Sequence, residues 1–345
     1  MKIGIIGAGE IGRKHAEAAR RAGAQVSWVV DVDPQRAAQL AQDCGADAAE
    51  SPEPLWADQS TPAALVAVPN KWHADYAIAA LCAGKDVLLE KPMACTVAEC
   101  QGVNEAAIAN DRVLQIGFVH RFTPVGRLAK SLVDQGCCGQ IYHARAQLSL
   151  RRGIPGLGKW FTTKETSGGG ALMDVGVHLI DLALHVMDFP RVGDVCGQTH
   201  ATFGPRMKDY VYDTMWAGPP EYGGACDVED SVSGLVRFQN GASLQLDIAW
   251  AGNFPQDCAS SSMLFLGDRG GVSFELFGDH VSLAAERDGA IVDDRVDAPA
   301  CDFYEDQLRG FLTAVETRRV TGATGQQGED VQSVVEQIYR SAVGA

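Results

Sequence analysis

The chain has no unbroken apolar run of the ~18 residues that a membrane-spanning helix requires, so no membrane partner is expected. It also lacks a surplus of basic charge. Lys and Arg number 29 against 44 Asp and Glu, a formal net charge of −15. That balance argues against nucleic acid or an anionic lipid surface as the main partner. No cysteine pair has C-x-x-C spacing; Cys137 and Cys138 are adjacent, and the other eight are scattered. The usual zinc and redox motifs are thereby excluded, no metal is expected, and free thiols in a reducing compartment are the better account. Internal repeats, low-complexity tracts and flexible linkers are likewise missing. The chain opens directly on a strand-like segment, without the charged and then apolar pattern of a secretory leader, and a cytoplasmic location is expected.

What is present points to two packed cores. The 345 residues are 46% hydrophobic and 21% charged, an ordinary globular balance. Residues 3–6 form an apolar strand, followed at once by Gly7-Ala8-Gly9-Glu10-Ile11-Gly12 and a helical stretch to Ala22. This is G-x-G-x-x-G between a strand and a helix, the setting that gives the pattern its meaning. Gly7 permits the tight turn, Gly9 lets a pyrophosphate approach the backbone, and Gly12 lets helix and strand pack closely. The helix start at Glu10 and Ile11 then turns its open N–H groups toward the phosphates. A second strand, residues 25–30, ends at Asp31, placed to accept from ribose hydroxyls. A carboxylate there repels a 2′-phosphate, so NAD is expected over NADP.

The alternation continues with strands at 63–68, 86–89 and 113–117 and helices at 72–83 and 96–110, which predicts a doubly wound parallel sheet. Ligands of such sheets lie off the carboxyl ends of the strands. Two loops stand there, Pro69-Asn70-Lys71-Trp72-His73 and Glu90-Lys91-Pro92. Pro69, Asn70, His73, Glu90 and Lys91 are the expected cofactor contacts beyond the glycine loop and Asp31.

Further on, Gly168-Gly169-Gly170 opens a second apolar helix. At 100° per residue, Asp174, His178, Asp181 and His185 share one stripe among residues such as Leu172, Val177, Leu179, Ile180 and Leu184. A helix apolar on its other sides is buried, and buried carboxylates and imidazoles need partners or a ligand. A cap plus satisfied core histidines is the alternative. Residues 231–238 and 242–250 alternate about Asn240-Gly241, and 281–286 and 290–296 flank Asp288-Gly289. Both pairs read as hairpins of a large, mostly antiparallel sheet.

Gly7-x-Gly9-x-x-Gly12, Val68-Pro69-Asn70 with His73, the run Gly84 to Pro92 containing Glu90-Lys91-Pro92, and Gly169-Gly170 through Asp174, His178 and Asp181 together resemble the Gfo/Idh/MocA family. The likeness extends to Asp227-Val228-Glu229-Asp230 and to the final helix at Gly328-Glu329-Asp330. It implies an α/β fold with an N-terminal Rossmann domain (1–120) and a C-terminal α/β domain with a large open sheet (121–345), the last helix being free to pack back on the first domain. It also implies homodimers or homotetramers that cover that sheet. Lys91, Asp174 and His178 are by this resemblance the catalytic residues of an NAD-dependent oxidoreductase. Such an enzyme oxidises a secondary hydroxyl of a sugar, sugar derivative or cyclitol to a ketone.

Hydride transfer needs an acceptor for the hydroxyl proton and a positive group to steady the alkoxide. Lys91 suits the second task and His178 the first, with Asp174 bonding the hydroxyl or orienting the imidazole; which of Lys91 and His178 takes the proton stays open. Asp181 reads either as support for His178 or as a structural carboxylate, and His185 as packing. Arg121 reads either as a contact to substrate or cofactor or as a structural ion pair. Arg152, with Arg151 and Lys159, forms the densest basic cluster, suited to an anionic substituent or to a solvated loop; Trp160 beside it suits a sugar face. The aromatic stretch 207–226 covers a site or forms an interface. Two other functions fit the same motifs. One is a glycoside hydrolase of the same family, which oxidises the ring transiently, eliminates the aglycone and ends with no net redox. The other is a non-enzymatic NAD-binding sensor.

Overall fold

A computed structural model describes residues 1–212 and 215–342. In chain order the first elements are β1 (Lys2–Ile6), α1 (Glu10–Ala22), β2 (Gln25–Val30), α2 (Pro34–Cys44), β3 (Asp47–Ala49), α3 (Glu53–Ala57), β4 (Ala63–Val66), α4 (His73–Cys82), β5 (Asp86–Glu90), α5 (Val97–Ala109) and β6 (Leu114–Gly117). Then follow α6 (Pro124–Asp134), β7 (Ile141–Ser149), α7 (Lys164–Ser167), α8 (Val177–Val186), β8 (Val192–His200), β9 (Ser231–Phe238), β10 (Ser243–Ala249) and β11 (Ser260–Gly267). The last are β12 (Gly270–Glu275), β13 (His280–Arg287), β14 (Ala290–Asp297), α9 (Phe303–Thr317), β15 (Ala323–Thr324) and α10 (Gly325–Ala342). Two compact units result: Met1–Val119 with Asp302–Gln332, and His120–Cys301 with Ser333–Ala345.

The first unit is built on a seven-stranded sheet in the order β15-β6-β5-β4-β1-β2-β3. Neighbours from β6 to β3 run parallel, and β15 joins the β6 edge antiparallel. The order reverses between β1 and β4, the switch point at which such sheets bind ligands. β4 is buried along its whole length, as a strand covered on both faces must be. Helix boundaries follow local chemistry. Asp33 accepts from the Gln35 and Arg36 amides to start α2, and Thr96 with Glu99 forms a complete capping box on α5. Leu308, Phe311 and Ala314 of α9 join the core made by β1, β2 and α1. That burial is why residues Asp302–Gln332 belong to this unit although they come last in the chain.

The second unit carries an eight-stranded sheet in the order β14-β13-β12-β11-β7-β10-β9-β8. β7 and β10 run parallel, and the remaining neighbours antiparallel. Ala144, Ala146, Leu148, Leu244, Leu246, Ile248, Met263 and Phe265 make its buried face. Residues of opposite parity, including Arg145, Ser233, Gln245 and Asp247, are exposed. Residues Lys164–Val186 are long and apolar enough by composition to cross a membrane, yet 83% of that window is buried inside the fold, as expected of a core helix.

Candidate functional site

In the first unit the glycine loop is shaped by close approach. Gly7 has φ +101°, and a Cβ there would lie 2.2 Å from the Ala67 carbonyl oxygen; at Gly12 it would lie 1.9 Å from the Gly7 carbonyl oxygen. Gly9 is the opposite case, with nothing within 4 Å of the same position. Gly9 also precedes α1 without a side-chain cap, so the amides of Glu10 and Ile11 are left for a ligand. Asp31 is 9% exposed. Its Oδ2 accepts from the Ala8 amide at 2.7 Å, and its Oδ1 from the Asp33 amide at 2.9 Å and from Arg36 Nη2 at 3.2 Å. The carboxylate is thus bonded to the glycine loop itself, with a half-exposed guanidinium beside it.

The two loops at the sheet's carboxyl end are tied to one another. His73 is buried, its Nδ1 2.6 Å from the Pro92 carbonyl oxygen and its Nε2 2.8 Å from that of Val68. Burial holds this imidazole below its ordinary pKa. A neutral ring carries one N–H, and the shorter contact gives it to the Pro92 carbonyl, so His73 holds the Lys91-Pro92 turn, whose peptide bond is cis, beside the Val68-Pro69 loop. Asn70 is buried at the start of a short 3₁₀ turn. Glu90, expected among the cofactor contacts, instead turns inward to His15 at 2.6 Å. Burial alone would raise its pKa, but His15 and Lys91 outweigh this and hold the carboxyl below its ordinary value.

In the second unit the glycine run is anchored by Glu229. Its carboxylate accepts from the amides of Gly170 and Leu172, both at 2.9 Å, and from the Tyr339 hydroxyl at 2.9 Å. Its carbonyl oxygen accepts from the Ala171 amide at 3.1 Å. Burial raises the pKa of both Glu229 and Tyr339. Leu172–Gly176 then form a single π-helical turn before α8. This corrects the uniform 100° stripe read from the sequence, because Asp174 sits on a wider turn than His178. Such turns recur at functional sites. The Trp250 indole, just past β10, donates to Asp174 Oδ2 at 3.1 Å, and Asp174 is 9% exposed.

His178 is half-buried, with the His120 ring 4.5 Å from its own, and His120 in turn lies 5.7 Å from Phe277. Of the two readings of Arg121, the structure gives the ion pair. It is 5% exposed, and its Nε and Nη2 donate to Asp181 Oδ2 and Oδ1 at 2.8 and 2.6 Å. Asp181 is thereby taken up by Arg121, and Phe189 lies under the guanidinium at 5.2 Å. Burial depresses His185 to about 4. Since the unfolded imidazole protonates at its ordinary, higher value, stability is lost as pH falls from that value toward about 4. We expect His185→Gln to reduce the acid sensitivity of unfolding, measured by urea titration at a series of pH values.

Arg152 donates to the Arg151 and Gly252 carbonyl oxygens and to Asn253 Oδ1, so its guanidinium pins two loops together. Trp160 stacks on Phe161 with centroids 3.6 Å apart, and Phe161 meets Trp216 edge-on at 4.9 Å. The 207–226 stretch, of which residues 213 and 214 lie outside the described residues, is zipped to this aromatic loop. The Glu221 amide donates to the Leu157 carbonyl at 2.8 Å, and Thr162 Oγ1 donates to the Ala225 carbonyl at 3.0 Å. Sequence reasoning gave no role at the site to Trp250, His120, Glu229 or His15. Trp250 carried a trace of signal, as an aromatic ending an alternating strand; the others acquire meaning only through long-range pairing.

Comparison with known proteins agrees with this build. Residues 1–118 match the oxidoreductase family with an NAD-binding Rossmann fold, and residues 127–283 match the GFO/IDH/MocA C-terminal domain. The chain is 30% identical over 351 aligned residues to a D-glucoside 3-dehydrogenase of Escherichia coli, covering 99% of this chain and 95% of that one. It is 27% identical to inositol 2-dehydrogenase 2 of Saccharopolyspora erythraea, covering 99% and 93%. Among solved structures, levoglucosan dehydrogenase in complex with NADH and levoglucosan has the same fold, with a TM-score of 0.85, 22% identity and coverage of 99% and 97%. GenD2 from gentamicin A biosynthesis, in complex with NAD, gives a TM-score of 0.79 at 26% identity, covering 100% and 94%. With a glycine loop, an acid-ended second strand, an Asp-His helix and matches along nearly its whole length, the chain belongs to the GFO/IDH/MocA family of oxidoreductases, and its first domain is an NAD-binding Rossmann fold.

Proposed function

We propose that this protein is an NAD-dependent dehydrogenase that oxidises a secondary ring hydroxyl of a glucoside, another sugar derivative or a cyclitol to a ketone. The observation that carries the reading is the end-to-end likeness to a D-glucoside 3-dehydrogenase, with Lys91, Asp174 and His178 all present. The residues of the first unit fit the dinucleotide: open space at Gly9, uncapped amides at the start of α1, and a carboxylate at Asp31. When bound, the nicotinamide supplies the hydride acceptor. The chain's own part is to bind, orient and move a proton. Lys91 steadies the negative charge that develops on the substrate oxygen. Asp174, held by the Trp250 indole, accepts from a substrate hydroxyl, and His178 takes the reacting proton. Trp160, with Phe161 stacked behind it, offers an aromatic face to an apolar sugar surface.

The exposed polar face of the eight-stranded sheet supports a homodimer or homotetramer formed there, to be measured by light scattering. The ten free thiols support a cytoplasmic setting.

Two cofactor predictions test the first unit. Gly12→Ala places a Cβ on the Gly7 carbonyl and should destabilise the protein without ligand. Gly9→Ala should leave that stability unchanged and weaken NAD binding, about tenfold or more, because only a bound phosphate meets the added methyl. Asp31→Ala removes the group that bonds ribose and releases Arg36 for a 2′-phosphate. We expect the ratio of NAD to NADP efficiency to fall by about tenfold or more in steady-state assays. A wild-type preference for NADP would overturn the role given to Asp31. The overall reading is tested by a panel of glucosides, anhydrosugars, uronates and inositols with each cofactor. Failure of every member to reduce NAD would overturn it.

A further inference from the structure

The turn that carries Lys91 is bracketed inside the first unit by two buried imidazoles. His73 holds its far side through the Pro92 carbonyl. On its near side stands Glu90, 7% exposed, a carboxylate that needs donors to remain buried. One oxygen faces His15 Nε2 at 2.6 Å, and the other accepts from the backbone amide of Lys91 at 3.1 Å. An ionised carboxylate cannot donate, so His15 Nε2 carries the hydrogen. The ring is 0% exposed, its Nδ1 has no hydrogen-bond partner among the described residues, and Tyr304 of α9 closes its edge at 5.4 Å. Gly117 on β6 makes room for the inward turn of Glu90, since a Cβ there would lie 3.1 Å from Glu90 Oε1.

We infer that His15 is a positioning residue for Lys91: through Glu90 it fixes the peptide from which the Lys91 side chain projects. His15 lies one helical turn after Gly12, on the helix that starts at the dinucleotide loop. A single rigid element thereby sets both the phosphate cradle and the Lys91 turn. Small displacements of a catalytic group are costly, on the order of 100-fold for 1 Å, so a fixed peptide at this position matters for rate. The inference rests on the reading of Lys91 as a catalytic group.

His15→Leu fills the same space without a donor and leaves Glu90 under-compensated. We expect kcat to fall about 10- to 100-fold while KM for substrate changes by less than about threefold. In the protein without cofactor, amide exchange in a peptide spanning residues 86–95 should accelerate, because the Lys91 amide loses its fixed acceptor. His15→Gln retains an N–H donor and should restore both properties most of the way. If His15→Leu does not fold, Glu90→Leu supplies the same test, since it removes the acceptor of the Lys91 N–H; kcat and exchange should change alike. A folded His15→Leu protein with wild-type kcat, or with wild-type exchange in this peptide, would overturn the inference. Lys91→Ala is assayed in parallel. Retained activity there would sink the role of Lys91, while the exchange measurement still decides whether His15 fixes the turn.

Discussion

Replacing Lys91 by alanine is expected to lower kcat on the order of 1000-fold, with a far smaller change in NAD affinity. Oxidation of an alcohol leaves negative charge on oxygen as the hydride departs, and one donor aimed at that charge contributes roughly 100- to 1000-fold. Lys91 stands at the carboxyl end of β5, in a turn held on one side by Glu90 and on the other by His73 through Pro92. Such a setting costs the chain two buried imidazoles and a buried carboxylate, more than an ordinary surface lysine requires. Stopped-flow measurement of NADH formation, beside fluorescence titration of the cofactor, separates the two effects. Activity within about tenfold of wild type would mean that another group meets the developing charge.

Arg121→Ala is expected to destabilise the second unit by about 3–5 kcal/mol, the usual cost of leaving one member of a buried ion pair alone. Asp181 is 0% exposed and Arg121 5%, so little water reaches either. The two bonds at 2.6 and 2.8 Å form the parallel fork that guanidinium and carboxylate favour. The pair joins the turn at His120 to α8, next to the contact between His120 and His178. Its loss should therefore also lower activity in the fraction that stays folded. Urea unfolding followed by fluorescence gives the stability change. The double variant Arg121→Met with Asp181→Leu should recover most of it, because a well-packed apolar pair often equals a buried ion pair. Equal destabilisation in single and double variants would show that the loss is one of packing.

The nucleotide half of the molecule was legible because its signals are local. A tight turn needs glycine within a few residues of the strand it leaves, and Gly7, Gly9, Gly12 and Asp31 stand in register in the sequence. The parallel sheet followed from strands alternating with helices, and the hairpins at Asn240-Gly241 and Asp288-Gly289 from turn chemistry. What escaped was whatever depends on partners far along the chain. Arg121 and Asp181 are 60 positions apart, His15 and Glu90 75, and Asp174 and Trp250 76, so no spacing rule joins them. The π turn at Leu172–Gly176 escaped for another reason. Glu229 holds the Gly170 and Leu172 amides at its start from outside the helix, and regular periodicity takes no account of such a hold. Glu90 read as a ligand contact because it sits beside Lys91. Only the packing of α1 shows that its carboxylate points inward.

The account stands or falls on net redox chemistry at a ring hydroxyl. The direct measurement is to incubate the purified protein with NAD and a chromogenic glucoside, following reduced nicotinamide and free aglycone in the same sample. Accumulation of NADH, in step with a keto-glucoside whose aglycone remains attached, is the expected result. Release of aglycone at a steady rate with no net NADH would contradict the account and assign the site to redox-neutral glycoside cleavage.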